Sequence, residues 1–120
     1  MPYDVSVPDG CDYVEIKWHG HASMPEIQRS GVDGLTSAAR ENVWKVLIDI
    51  SDIQNDLNTI DLFSTTVEHS RLDPPGPRAA MLGRTDQAKE LAFVENVGSN
   101  RGMLIKSFTE KNDALEWLMK

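Results

Sequence analysis

The sequence predicts an α/β fold: its elements read as a mixed sheet of about five strands, with an N-terminal antiparallel hairpin, parallel central strands and about four helices. Short apolar runs recur at Val46 to Ile50, Ala79 to Leu82 and Met103 to Ile105, each followed by an amphipathic stretch. Each run is too short for a free-standing helix and lacks the alternation of a half-exposed strand, so it reads as a strand covered on both faces by helices. Ahead of them, Tyr3-Asp4-Val5-Ser6-Val7 alternates, Pro8-Asp9-Gly10 punctuates, and Tyr13-Val14-Glu15-Ile16-Lys17-Trp18 alternates again. That is how an antiparallel hairpin reads.

The elements follow in order. Strands are expected at about 3 to 7 and 12 to 19. Ser23 precedes Met24-Pro25-Glu26, an N-cap with proline near the first helical position and a capping-box glutamate, so a helix begins at Met24. Gly31 and Gly34 interrupt it, and it runs as one weak helix or two short pieces to about Arg40, with Leu35, Ala38 and Ala39 as its later apolar face. Trp44 to Ile50 is the central strand, and Ser51 to Asp56 a polar turn anchored at Ile53. Ile60, Phe63 and Val67, with Leu57 a turn ahead, give a helix over about 58 to 72 one apolar stripe. Asp73-Pro74-Pro75-Gly76-Pro77 stops it and delivers Arg78 into the strand Ala79 to Gly83. Thr85 and Asp86 offer caps for a helix carrying Ala88, Leu91, Ala92 and Val94, which frays around Gly98-Ser99-Asn100. Gly102 to Phe108 is the last strand; Thr109 caps a closing helix whose inward stripe is Ala114, Leu115 and Leu118, with Trp117 on its border.

A chain of 120 residues fits a single domain spanning 1–120 and can bury roughly two thirds of the surface its unfolded form exposes, so it needs no staples. With 40% apolar residues and no repeats or long charge runs, disorder is not expected. The net charge of −7, from 19 acidic and 12 basic residues, repels phosphate backbones, which argues against a nucleic-acid partner. No apolar stretch approaches the eighteen or so residues of a membrane span, the first residues lack a signal-peptide pattern, and the lone Cys11 cannot form an intramolecular disulfide. A cytoplasmic location is the expectation.

The order of hairpin, crossover helix and three further strand–helix units resembles the SpoIIAA-like superfamily, which includes the STAS domains and bears a fold-level likeness to SEC14 lipid-transfer domains. The likeness is greatest to small bacterial stand-alone STAS/SEC14-domain proteins. Three stretches carry it: Val46-Leu47-Ile48-Asp49-Ile50, a strand ending in an acid; Pro77-Arg78-Ala79-Ala80-Met81-Leu82-Gly83; and Arg101 to Phe108 leading to Asp113-Ala114-Leu115-Glu116-Trp117-Leu118. They are specific for fold and poor for function. Anti-anti-sigma factors of this superfamily carry an Asp-Ser-Ser-Gly-type stretch after the central strand, where a serine is phosphorylated. Here the place reads Asp56-Leu57-Asn58-Thr59-Ile60. With neither serine nor glycine, only Thr59 could take a phosphate, and Asp56 and Asp61 would repel it, so the serine switch is not expected.

A right-handed βαβ unit would bring the carboxyl ends of the second and central strands to one edge, the default ligand crevice of such sheets. The candidate residues there are His19 and His21, Asp49, Ser51 and Asp52, then Asn58, Thr59 and Thr85, with Asp86 beyond. On an extended backbone His19 and His21 face the same side, and with a carboxylate they could hold a divalent metal. Against that, His-x-His with no fixed third ligand is common by chance, and Gly20 between them suggests a turn. Asp49, an acid on an otherwise apolar strand, reads first as an acceptor for backbone amides of the following loop and second as a ligand group. Trp18, Trp44 and Trp117 read as packing, His69 as part of a solvated helix face, and the proline cluster as a stiff connector. No dinucleotide fingerprint, phosphate-binding Walker loop, nucleophile elbow or zinc quartet is present, and no cofactor is called for.

The resemblance and the lack of catalytic motifs together point to a non-enzymatic STAS-like binding or regulatory module that acts through a protein partner or small ligand, a homodimer being one form it would take. The SEC14 likeness implies an apolar-ligand carrier as the alternative, and a metal-dependent enzyme using His19 and His21 is the second.

Overall fold

The computed structural model describes residues 3–7, 13–21, 26, 29, 33, 45–53, 78–102 and 104–119. They form one five-stranded sheet in the order β1 (Tyr3–Ser6), β2 (Val14–Trp18), β3 (Lys45–Asp49), β4 (Arg78–Leu82) and β5 (Ile105–Phe108). β1 pairs antiparallel with β2, and every later pair is parallel. A 3-10 turn at Thr85–Gln87 leads into α1 (Ala88–Asn100), and α2 (Lys111–Leu118) closes the described chain. Glu26, Arg29 and Asp33 are helical, as the first crossover helix requires. The expected helix over 58 to 72, the proline cluster, Cys11, Trp44 and His69 lie outside the described residues.

Strand alternation divides the core between the two faces. Tyr3, Val14, Ile16, Trp18, Val46, Ile50, Ala79, Met81 and Ile105 meet Leu91 and Val94 of α1 on the first. Tyr13, Leu47, Ala80 and Leu82 meet Ala114 and Leu118 of α2 on the second. α1 lies on the first face, and so does Asp33, to whose Oδ2 Tyr3 donates its hydroxyl at 2.5 Å. Among the described residues α2 covers the second face, where it packs on β3, β4 and β5. Over β1 and β2 that face carries Asp4, Ser6, Glu15 and Lys17, which is why β2 alternates between buried and half-buried residues.

The middle strands β3 and β4 are buried on both faces, as their apolar runs require; β5 is not. Its run Met103 to Ile105 predicts a covered strand, yet Leu104 lies before the strand and is 66% exposed. The reason is position: β5 is the sheet's edge, and α2 covers it only in part. In the last helices, Ala88 and Ala92 face solvent while Leu91, Val94 and Gly98 are buried, and α1 holds its helical form through Asn100. Glu110, not Thr109, occupies the N-cap of α2, and it makes no side-chain capping bond. α2 is thus held by its buried stripe rather than by its cap.

The free edge of β5 is partly closed. Ala79 N–H donates to Leu104 O at 2.8 Å and Gly83 N–H to Phe108 O at 3.0 Å, so the alternate residues of β5 turn their backbone groups away from β4. Ser107 is one of these. Its N–H donates to Glu95 Oε1 at 2.6 Å and its hydroxyl to the same oxygen at 3.2 Å.

Burial on the first face also sets a pH dependence. Desolvation, then the hydrogen bond to Asp33 and its negative charge, push the Tyr3 hydroxyl from 10.0 up to about 12. The unfolded chain loses this proton first as pH rises, so the contribution to stability is complete below about pH 10 and is lost as pH climbs through about 12. Urea midpoints measured across that window are expected to fall more steeply for the wild type than for Tyr3→Phe, which keeps the ring 5.0 Å from that of Trp18. Equal slopes would show that the hydroxyl is as hydrated when folded as when unfolded.

Candidate functional site

The carboxyl ends of β2, β3 and β4 meet at one edge, and the turn after β3 is built there from side chains of two loops. Asp49 ends β3 with its side chain on the second face, 5% exposed. Its Oδ1 accepts the Ser51 N–H at 2.9 Å and the Ser51 hydroxyl at 2.6 Å, the contact expected of an acid that fixes a strand end. Its Oδ2 lies 3.9 Å from Nζ of Lys17, its register partner on β2, and the same ammonium is 3.7 Å from Asp52 Oδ2. Lys17 and Asp52 are about half exposed, so these ion pairs orient side chains more than they stabilise, at about 0–1 kcal/mol each.

From the β4 side the turn is clasped. Gln87, buried, donates Nε2 to Ile50 O at 3.0 Å and accepts the Arg84 N–H on Oε1 at 2.7 Å. Arg84 sends Nη1 to the carbonyls of Ser51 and of Ile53, the latter at 3.0 Å. Its Nε donates to Asp86 Oδ1 at 2.9 Å, and this guanidinium holds the exposed Asp86 carboxyl below its usual range. Gly83 is required by this clasp: a Cβ there would stand 2.8 Å from Gln87 Oε1 and 3.0 Å from a Leu91 methyl.

Ser51 and Asp52 follow β3 and Thr85 follows β4, with Asp49 buried at the end of β3. The histidines diverge from the expectation. β2 ends at Trp18, and Gly20 has a φ of 64°, the left-handed region that breaks the alternation needed to align His19 with His21. Gly20 instead extends the sheet by one bridge to Ile53, its N–H donating to Asp52 O at 3.1 Å. His19 Nε2 lies 2.8 Å from Asp4 Oδ2, on the β1 side, and His21 is exposed. Among the described residues no three His, Cys, Asp or Glu side chains converge on a point where a metal would sit. Asn58 and Thr59 lie outside the described residues.

Sequence reasoning missed Arg84 and Gln87. One local signal exists, an amide three residues after Arg84, the spacing of a capping box but without the usual Ser, Thr, Asp or Asn at its head. The assembled edge offers exposed carboxylates at Asp52 and Asp86, hydroxyls at Ser51 and Thr85, and a guanidinium, on a turn held by hydrogen bonds from both loops. Among the described residues no helix is long and apolar enough to cross a membrane.

No family model matches the chain, and neither does any curated protein. Solved structures do. An uncharacterized protein of the DUF3478 family from Shewanella loihica, described as having a SpoIIAA-like fold, superposes with a TM-score of 0.59 at 18% identity, over 97% of this chain and 91% of that one. An anti-sigma factor antagonist from Mycobacterium paratuberculosis superposes equally well, with a TM-score of 0.59 at 14% identity, over 98% of this chain and 93% of that one. The mixed five-stranded sheet with its single antiparallel pair is a SpoIIAA-like fold.

Proposed function

We propose that this chain is a non-catalytic regulatory module that binds a protein partner through the carboxyl edge of its sheet. The observation that carries the reading is the turn at 51–53, tied down by Asp49 beneath it and by Arg84 and Gln87 beside it, so that Ser51, Asp52 and Asp86 are presented in a fixed arrangement. A preordered surface loses little conformational freedom on docking, which favours protein recognition over a site that must close on its ligand. The likeness to an anti-sigma factor antagonist across nearly the whole chain supports the same reading.

The test is native mass spectrometry of the full chain purified without chelator, followed by affinity capture with wild type and Asp52→Lys. A protein held in fixed stoichiometry by the wild type and at least tenfold more weakly by the variant, about 1.4 kcal/mol, is the expected result. Asp52 is exposed, so the variant should melt with the wild type. A bound lipid or metal in place of a partner, or capture indifferent to Asp52, would overturn the proposal.

A further inference from the structure

The opposite end of the same strands carries a second surface of different chemistry. Lys45 and Arg78 are register partners at the amino ends of β3 and β4, both on the second face, and Leu104 lies beside Arg78 just ahead of β5. The C-terminal half of α2 comes down on them. The Arg78 guanidinium stands 4.1 Å from the centre of the Trp117 ring, and Lys45 Nζ lies 3.9 Å from Met119 Sδ. Trp117 in turn packs on Phe108, over which Lys106 Nζ sits at 5.7 Å. Leu104 and Met119, 66% and 43% exposed, are the two exposed large apolar residues among those described, and both belong to this patch.

Lys17, Arg84 and Lys111 each have a carboxylate within 4.0 Å, whereas among the described residues Lys45, Arg78 and Lys106 have none. The Arg78 Nε is shielded from solvent and has no acceptor among the described residues. The C-terminal end of α2 supplies roughly half an elementary negative charge, too little for three cations. In a chain of net charge −7, a cationic patch around two exposed apolar side chains is a local inversion of the surface.

We propose that this patch is a second docking surface, and that its occupant is an acidic protein segment carrying apolar anchors, such as an amphipathic helix with carboxylates flanking leucines. The carboxylates would meet Lys45, Arg78 and Lys106, and the anchors Leu104, Trp117 and Met119. Electrostatic complementarity selects this occupant: the remaining negative surface repels an anionic bilayer, a nucleic acid and a second copy alike, whereas a short segment touches only the patch. The proposal does not rest on the reading of the carboxyl edge, which lies at the other end of the strands.

The probe is a fluorescein-labelled peptide of glutamates and leucines at helical spacing, titrated with the full chain and followed by fluorescence polarisation. Control peptides carry lysine for glutamate or serine for leucine. Saturable binding of the first peptide alone, weakened as salt rises, is expected, with at least a tenfold loss in Lys106→Glu and in Leu104→Ser and none in Asp52→Lys. Both altered side chains are exposed, and unchanged melting curves confirm that the variants fold. Absence of binding, or binding indifferent to Lys106 and Leu104, overturns the proposal. So does patch-dependent binding to anionic phosphatidylglycerol vesicles without peptide binding, or patch-dependent dimerisation, since either assigns the surface to another occupant.

Discussion

Replacing Gln87 by Leu is expected to lower the unfolding free energy by about 2–6 kcal/mol, because one side chain serves both sides of the clasp and the substitution orphans two backbone groups at about 1–3 kcal/mol each. The Ile50 carbonyl and the Arg84 N–H lose their partners together. Leucine is close to glutamine in size, so the change removes hydrogen bonds without opening a large cavity. In urea the midpoint should fall at unchanged m-value, and amide exchange at residues 50–53 should quicken beyond what the global loss explains. The same variant should weaken partner capture even though Gln87 is only 6% exposed, since it acts by positioning Ser51 and Asp52. A loss below about 0.5 kcal/mol would mean that water replaces the amide at both ends.

Leu47→Ala should cost about 2–5 kcal/mol, the range for truncating a fully buried leucine. Leu47 is 0% exposed in the middle of the second face, among Tyr13, Ala80, Leu82, Ala114 and Leu118. α2 has eight residues and no side-chain cap, and a helix that short is not stable by itself. The loss should therefore appear as earlier exchange of the α2 amides as well as a lower urea midpoint. Leu104→Ala, the same truncation at an exposed position, is the control and should change stability by less than about 0.5 kcal/mol.

The interior of the fold was legible because burial leaves a mark on composition. An unbroken apolar run such as Val46 to Ile50 or Ala79 to Leu82 has few explanations other than a strand covered twice, and an acid at Asp49 within one of them must find donors close by. Edges obey weaker constraints. Met103-Leu104-Ile105 reads like the inner strands, yet it leads into the rim, where apolar content no longer implies cover. The alternation rule that aligned His19 with His21 failed at a single left-handed glycine. Of the candidate site, the part written locally, Asp49 with Ser51, could be read; the part written in tertiary contacts could not. Gln87 reaches Ile50 across 37 positions, and Arg84 reaches Ser51 across 33, and no periodicity or motif encodes such a meeting.

The carboxylate that Glu95 lays against Ser107 bears on how the molecule keeps its own company. A sheet edge grows by lending its outward amides to an incoming strand, and here one of those amides is already spoken for by a charged oxygen at 2.6 Å. A newcomer would have to evict that oxygen and leave a desolvated anion at the seam. Fibril growth and strand exchange from this side are thus discouraged at one rung of the β5 edge, while the faces and loops stay open to others.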